Sequence, residues 1–306
     1  MNTDQAEKLR AAVRKDYMAA NKVERQHNSR VIAVTSGKGG VGKTNLVLNL
    51  ALKLAQMNCR VVVIDADLGL ANVDILLNIL PEHTLEDVIS GKKEILEILL
   101  EGPQGIKIVP GGSGLFDLAN LDLVRRNRLL DKLRVLERYG EIILLDTSAG
   151  ISKNVIDFIR IADEFIMVTT PEPTALTDGY GMLKIIAGHN LHRSGYVVVN
   201  YTKEMLEGER TFKRLQSMVQ KFLPGFEIRY LGGIGYDRAV AMAVQDFSPF
   251  LLKYPESAAA ASIHNIAWRL LSNEGFQPTS QGKLSFIERL KGLFINRDYY
   301  RNSGSA

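Results

Sequence analysis

Nine residues constrain this chain more than any other stretch: Ser36-Gly37-Lys38-Gly39-Gly40-Val41-Gly42-Lys43-Thr44, between an apolar run (Val31 to Thr35) and a helix opening near Thr44. Glycines at 37, 39, 40 and 42 let backbone N–H groups curl inward around a polyphosphate, where side chains would obstruct. Lys43 is placed to reach the β- and γ-phosphates and the Thr44 hydroxyl to serve Mg²⁺, while the helix that follows points its positive end at the same anions. The candidate cradle comprises Gly37, Gly39, Gly40, Val41, Gly42, Lys43, Thr44 and Asn45.

Two further segments end in acids. Arg60 to Asp67 reads as a buried strand closing on Asp65 and Asp67, and Glu141 to Gly150 as a second one closing on Asp146. A strand-terminal Asp is often only a helix cap. Parallel sheets bind ligands at the carboxyl ends of their strands, however, so acids ending two strands after a phosphate turn point to chemistry. Asp146 is read as holding Mg²⁺ through water, and Gly150 as letting the backbone approach the γ-phosphate.

Apolar runs alternate with helical-period segments from Val31 to about Leu271, with strands near 31–36, 61–65, 106–110, 142–146, 165–170, 196–200 and 228–234. That rhythm predicts an α/β fold: a doubly wound, mostly parallel sheet of seven or eight strands, helices on both faces. A 306-residue chain with 46% hydrophobic content can bury one sizeable core. The expected division is an N-terminal segment over 1–29, the sheet domain over 30–273, a linker over 274–282 and an amphipathic helix over 283–300. No signal peptide or membrane-length apolar run is evident, and Cys59 is the single cysteine, so a cytosolic location is expected. One cysteine also argues against a cluster bridged between two subunits, which takes two thiolates from each.

Lys38 narrows the reading. The Lys-Gly-Gly-x-Gly-Lys-Thr pattern resembles the deviant Walker A family of P-loop ATPases, which includes MinD, ParA, the nitrogenase iron protein and the arsenite-pump ATPase. The resemblance implies an ATP-dependent homodimer in which Lys38 crosses the interface to the partner's nucleotide, so Lys38, Lys43 and Asp67 are the catalytic candidates. Asp67 would orient the attacking water, and Asp65 would stand one ligand removed from a Mg²⁺ held by Thr44 and Asp146. Asn200, ending the strand Gly195 to Asn200, matches the adenine-reading asparagine of the family. Asp237 falls in the segment that walls the base, where Gly235 replaces a common proline. ATP and ADP with Mg²⁺ are the implied cofactors.

The two ends look like recruitment equipment. Asp4-Gln5-Ala6-Glu7-Lys8-Leu9-Arg10 resembles the Asp-Gln-Ala-x-x-Leu-Arg segment of the FlhG (YlxH) family, MinD-type ATPases that control flagellar number. That resemblance implies that Asp4, Gln5, Ala6, Leu9 and Arg10 bind the GTPase FlhF and stimulate its hydrolysis, with Gln5 at the shared site, and that flagellar C-ring proteins are further partners. Without it, seven Lys/Arg against four Asp/Glu in the first thirty residues read equally as a basic tail. At the other end Phe286, Ile287, Leu290, Leu293 and Phe294 share one helical face, with Lys283, Arg289, Lys291 and Arg297 off it or flanking it. This reads as a helix for an anionic membrane surface, which would place the ATP state peripherally on the cell membrane. Packing on its own domain is the alternative. A net charge of +4 leaves two further readings: a ParA-type partition ATPase holding DNA non-specifically, and an ATP dimerisation switch with negligible turnover. No sequence-specific nucleic acid is expected.

Overall fold

The computed structural model describes residues 29–67, 73–110, 123–204, 206–272 and 285–292. In chain order the elements are β1 (Arg30–Thr35), α1 (Lys43–Gln56), β2 (Val61–Ala66), α2 (Val73–Leu76), α3 (Leu85–Ile89), α4 (Ile95–Ile98), β3 (Leu100–Glu101), β4 (Lys107–Val109), α5 (Leu123–Leu133), α6 (Leu136–Tyr139), β5 (Ile142–Thr147), α7 (Lys153–Ile161), β6 (Glu164–Thr169), α8 (Pro173–Gly188), β7 (Ser194–Thr202), α9 (Glu207–Phe222), β8 (Glu227–Gly235), α10 (Arg238–Gln245), α11 (Phe250–Lys253) and α12 (Ala258–Ser272). A further helix, α13, spans residues 286–292.

The strands form one sheet in the order β3-β4-β2-β5-β1-β6-β7-β8, parallel throughout except where β3 meets β4. β2, β5 and β6 are buried at every residue, as a parallel sheet covered on both faces requires. Successive side chains still go to opposite faces. Val31, Ala33, Ile143 and Leu145 join the core with α5, α7, α8 and α9, whereas Ile32, Val34, Ile142 and Leu144 join the core with α1 and α12. From β1 the chain moves outward to β2 and β4, returns to β5, then crosses to β6, β7 and β8. That reversal of direction beside β1 opens a crevice at the carboxyl ends of the strands, and the glycine-rich turn stands in it.

The expected strands are all present. The eighth, β3, has only two residues at an antiparallel edge, too short to carry a periodicity, and a Lys107–Glu101 pair at 2.9 Å closes it. Ser29, expected in the N-terminal segment, belongs to the folded domain: it is buried and its hydroxyl donates to the Gly140 carbonyl at 2.6 Å.

Of the two readings of the C-terminal helix, the structure takes the one in which it packs on its own domain. Phe286, Ile287 and Leu290, read as a lipid-facing stripe, are buried in the core beside α5 and α7. The Ile287 N–H donates to Glu137 Oε1 at 3.2 Å, Arg289 forks onto Asp163 at 2.5 and 3.1 Å, and Lys291 donates to Asp131 at 2.8 Å. Helical periodicity shows that one face will be covered but not by what, and here the cover is the protein's own domain. Leu293, Phe294 and the N-terminal Asp4, Gln5, Ala6, Leu9 and Arg10 lie outside the described residues. No helix among the described residues is long and apolar enough to cross a membrane.

Candidate nucleotide site

α1 is preceded by Gly42, whose φ of 86° only glycine adopts freely, and neither a side-chain cap nor an acid occupies its first turn. The amides of Lys43, Thr44 and Asn45 therefore remain available to an anion. The four glycines divide into two roles. A Cβ on Gly39 or Gly40 would meet nothing within 4 Å, so these two leave room on the ligand side. On Gly37 it would stand 2.3 Å from the Asp178 carbonyl carbon and 2.6 Å from Gly179 N, and on Gly42 it would stand 2.2 Å from Asn200 Nδ2. Gly37 admits the backbone of α8, and Gly42, which also lines the phosphate cavity, admits the amide of Asn200. The cavity in front holds about 360 Å³ and is lined by Ser36, Gly39 to Asn45, Asp67, Leu76, Ala149 and Tyr201.

Behind it Lys43 Nζ lies 3.3 Å from Asp146 Oδ1, with 8% and 0% of the two side chains exposed. Burial pushes the Asp146 carboxyl above its ordinary value, against the pull of Lys43 and the Thr44 hydroxyl. Asp146 Oδ2 is buried and has no hydrogen-bond partner. One carboxylate oxygen beside a threonine hydroxyl is a hard donor set that suits Mg²⁺, which takes one or two protein oxygens and completes its shell with phosphates and water. Asp65 sits across from Asp146 in the β2–β5 register, but its oxygens accept from Asp67 N (3.0 Å) and Val73 N (3.4 Å), so it ties the end of β2 to the start of α2. Asp67 lines the cavity, and Ser148, which the sequence reading gave no role, donates its hydroxyl to Asp67 Oδ1 at 2.8 Å.

A second cavity of about 540 Å³ adjoins the first, lined by Ile234, Tyr236, Val240, Val244 and Phe250 among others. Asn200 forms part of its wall, donating to the Val41 carbonyl at 2.9 Å and accepting from Tyr201 N at 2.9 Å. An amide has two hydrogens and two lone pairs, so one donor and one acceptor remain for a base. Asp237 reaches the same wall, yet both its oxygens accept backbone N–H groups, from Ala239 at 2.9 Å and Ala259 at 3.0 Å. Its carboxylate is a helix cap that joins α10 to α12, and it meets the cavity as wall. Lys38 is outside both cavities: its ammonium donates to Glu172 Oε2 at 3.1 Å and Thr174 Oγ1 at 3.2 Å. Tyr201, absent from the sequence reading, lines both cavities.

A profile of the ParA family, described as NUBPL iron-transfer P-loop NTPase, matches residues 27–271. The antiactivator FleN of Pseudomonas aeruginosa is 39% identical over 271 residues, which cover 86% of this chain and 94% of FleN. The chain belongs to the ParA/MinD family of P-loop ATPases. Within that family it groups with the FlhG branch: the flagellum site-determining protein YlxH of Helicobacter pylori is 31% identical over 267 residues, covering 86% of this chain and 90% of YlxH. The ParA/MinD fold is matched by the MinC:MinD cell division complex of Aquifex aeolicus, with TM-score 0.64 and 25% identity over 79% of this chain and 96% of that one. MinD of Pyrococcus horikoshii, complexed with Mg-ADP, gives TM-score 0.62 at 22% identity over 82% and 99% of the two chains.

Proposed function

We propose that this chain is an ATP-dependent dimerising ATPase of slow, switch-like turnover that regulates the number and placement of bacterial flagella. The observation that carries the reading is the Lys43–Asp146 pair buried under an uncapped helix end, in a chain 39% identical to FleN. Lys43 exchanges its carboxylate partner for phosphate oxygens when nucleotide enters. Thr44 and Asp146 hold Mg²⁺, with Asp65 behind them, and the ion when bound screens the phosphate charge. Asp67, steadied by Ser148, accepts a hydrogen bond from the attacking water and orients it toward the γ-phosphate. Asn200 offers its remaining donor and acceptor to adenine.

Lys38 is held by Glu172 and Thr174 of its own chain. An exposed pair of this kind is worth about 0–1 kcal/mol, so it yields easily when a second copy offers a phosphate instead. Dimerisation in this reading moves Lys38 from its own Glu172 to the partner's nucleotide. The N-terminal Asp4, Gln5, Ala6, Leu9 and Arg10 are assigned to FlhF binding and stimulation, and flagellar C-ring proteins to a surface of the dimer. Release of α13 with its following residues gives the ATP state affinity for anionic membrane.

The test is flotation of the intact chain, and of a chain ending at Gln281, with anionic vesicles in ADP or a non-hydrolysable ATP analogue. Flotation of the intact chain alone, mainly with the analogue, is expected. Equal behaviour of both chains would remove the membrane role, and DNA retention by the ATP-bound chain would then favour the partition-type reading.

A further inference from the structure

We propose that Tyr201 is the nucleoside-contact residue of this site, its ring and phenol closing the junction where the sugar of a ribonucleoside triphosphate passes from the phosphate cavity to the base cavity. The inference rests on the nucleotide-binding reading above and adds a residue that no motif carries.

Sheet register supplies the first argument. Val199 lies opposite Gly233 and Thr202 opposite Gly235, so β7 takes three steps where β8 takes two. The surplus residue makes a bulge at Asn200–Tyr201, and a bulge re-aims a side chain that strict alternation would have sent to the other face. Backbone conformation supplies the second. Tyr201 sits at φ 58°, in the left-handed region that aromatic residues rarely occupy. The turn is held in place from the phosphate loop: Asn200 Oδ1 accepts the Tyr201 N–H while Asn200 Nδ2 donates to the Val41 carbonyl, both at 2.9 Å. Strained backbone that is held this firmly beside a cleft is a feature of ligand clamps.

Position supplies the third. The phosphate and base cavities share three lining residues, Gly42, Asn45 and Tyr201. A nucleotide that puts its phosphates in one cavity and its base in the other must run its sugar past these three. Gly42 has no side chain to offer. The Tyr201 hydroxyl comes within 3.4 Å of where a Cβ on Gly42 would stand, so the phenol reaches over the phosphate turn. The residue remains 41% exposed, which leaves surface for a ligand to cover. Burial of its inner part raises the phenol above its ordinary value, which keeps it a neutral donor. The hydroxyl is then suited to a sugar oxygen and the ring edge to the sugar or base face. A bare polyphosphate needs neither.

The experiment is calorimetric titration of the full chain and its Tyr201→Asn and Tyr201→Phe variants with Mg-ATP and with Mg-tripolyphosphate. Asparagine tolerates the left-handed backbone and removes the ring, so that variant keeps the bulge. Tyr201→Asn is expected to weaken ATP about tenfold or more and to leave tripolyphosphate within about twofold. Tyr201→Phe, which keeps the ring, is expected to fall between it and the unaltered chain. ATP binding unchanged in Tyr201→Asn overturns the proposal, and so does a parallel loss for tripolyphosphate, which would make Tyr201 a prop of the phosphate loop. If the unaltered chain binds tripolyphosphate but gains nothing from the nucleoside, the contact is refuted while the phosphate site stands. If it binds neither, the nucleotide-binding reading itself falls.

Discussion

Replacing Arg289 by alanine should release α13 without unfolding the sheet, and the structure allows the size of the effect to be worked out. Phe286, Ile287 and Leu290 are 3%, 0% and 2% exposed, and burying side chains of this kind yields about 1.5–3 kcal/mol each, or about 4.5–9 kcal/mol for the three. Fixing the backbone of residues 286–292 costs about 1–2 kcal/mol per residue, or about 7–14 kcal/mol for the seven. The ordering cost therefore exceeds the gain from the apolar face by about 2.5–5 kcal/mol, and the polar contacts decide whether the helix stays down. The strongest is the fork from Arg289 to Asp163, whose side chains are 20% and 6% exposed. Charge-assisted bonds of that sort contribute about 1.5–3 kcal/mol, so Arg289→Ala should lower the docked-to-released ratio by about tenfold to a hundredfold. Hydrogen exchange reads this directly: amides of 286–290 should exchange faster by that factor, while β1 and β6 keep their protection. Arg289→Lys, which keeps the charge and loses the fork, should fall between. Unchanged protection in Arg289→Ala would show that the apolar face suffices to hold the helix and that Arg289 does not decide its docking. Loss of protection across β6 would show that Arg289 serves the fold, not the latch.

Four further substitutions test the site. Gly37→Ala forces a Cβ to within 2.3 Å of the Asp178 backbone and should cost about 1–3 kcal/mol of stability. Gly39→Ala meets nothing in the protein and should leave the melting temperature unchanged while weakening nucleotide binding; equal melting losses for both would refute the division of glycine roles. Lys43→Ala should be more unstable as pH rises. Burial already holds the folded Asp146 carboxyl above its ordinary 3.8, so its contribution is fully present at acid pH and lost as pH climbs through the raised value. Removing Lys43 raises that value further, so the melting gap to the unaltered chain should widen from acid to neutral pH; a constant gap would exonerate Asp146. Asp67→Ala should bind ATP normally and hydrolyse it about 10²–10⁴-fold more slowly in a phosphate-release assay, and unimpaired release would move the water-orienting role elsewhere.

The sequence by itself determined the strand positions, the sheet class and the phosphate turn. Parallel strands buried on both faces are continuous apolar runs, and a phosphate turn needs its glycines and lysine at fixed spacing. Asp65, Asp67 and Asp146 could be placed at the ligand edge because the carboxyl ends of parallel strands share one side. Tertiary structure alone decided how those residues are used. The same letter Asp became a buried partner of Lys43 at 146, a backbone anchor at 65 and a two-helix cap at 237, since hydrogen-bond partners come from elements far apart in the chain. Gly37 and Gly42 are needed for α8 and for Asn200, which no local pattern announces. Tyr201 faces the nucleotide cavities through a single-residue bulge that a period-2 reading cannot foresee. The apolar face of α13 was visible as a stripe, but that the protein's own domain covers it was decided by tertiary contacts, among them Arg289 and Asp163 meeting across 126 residues of chain.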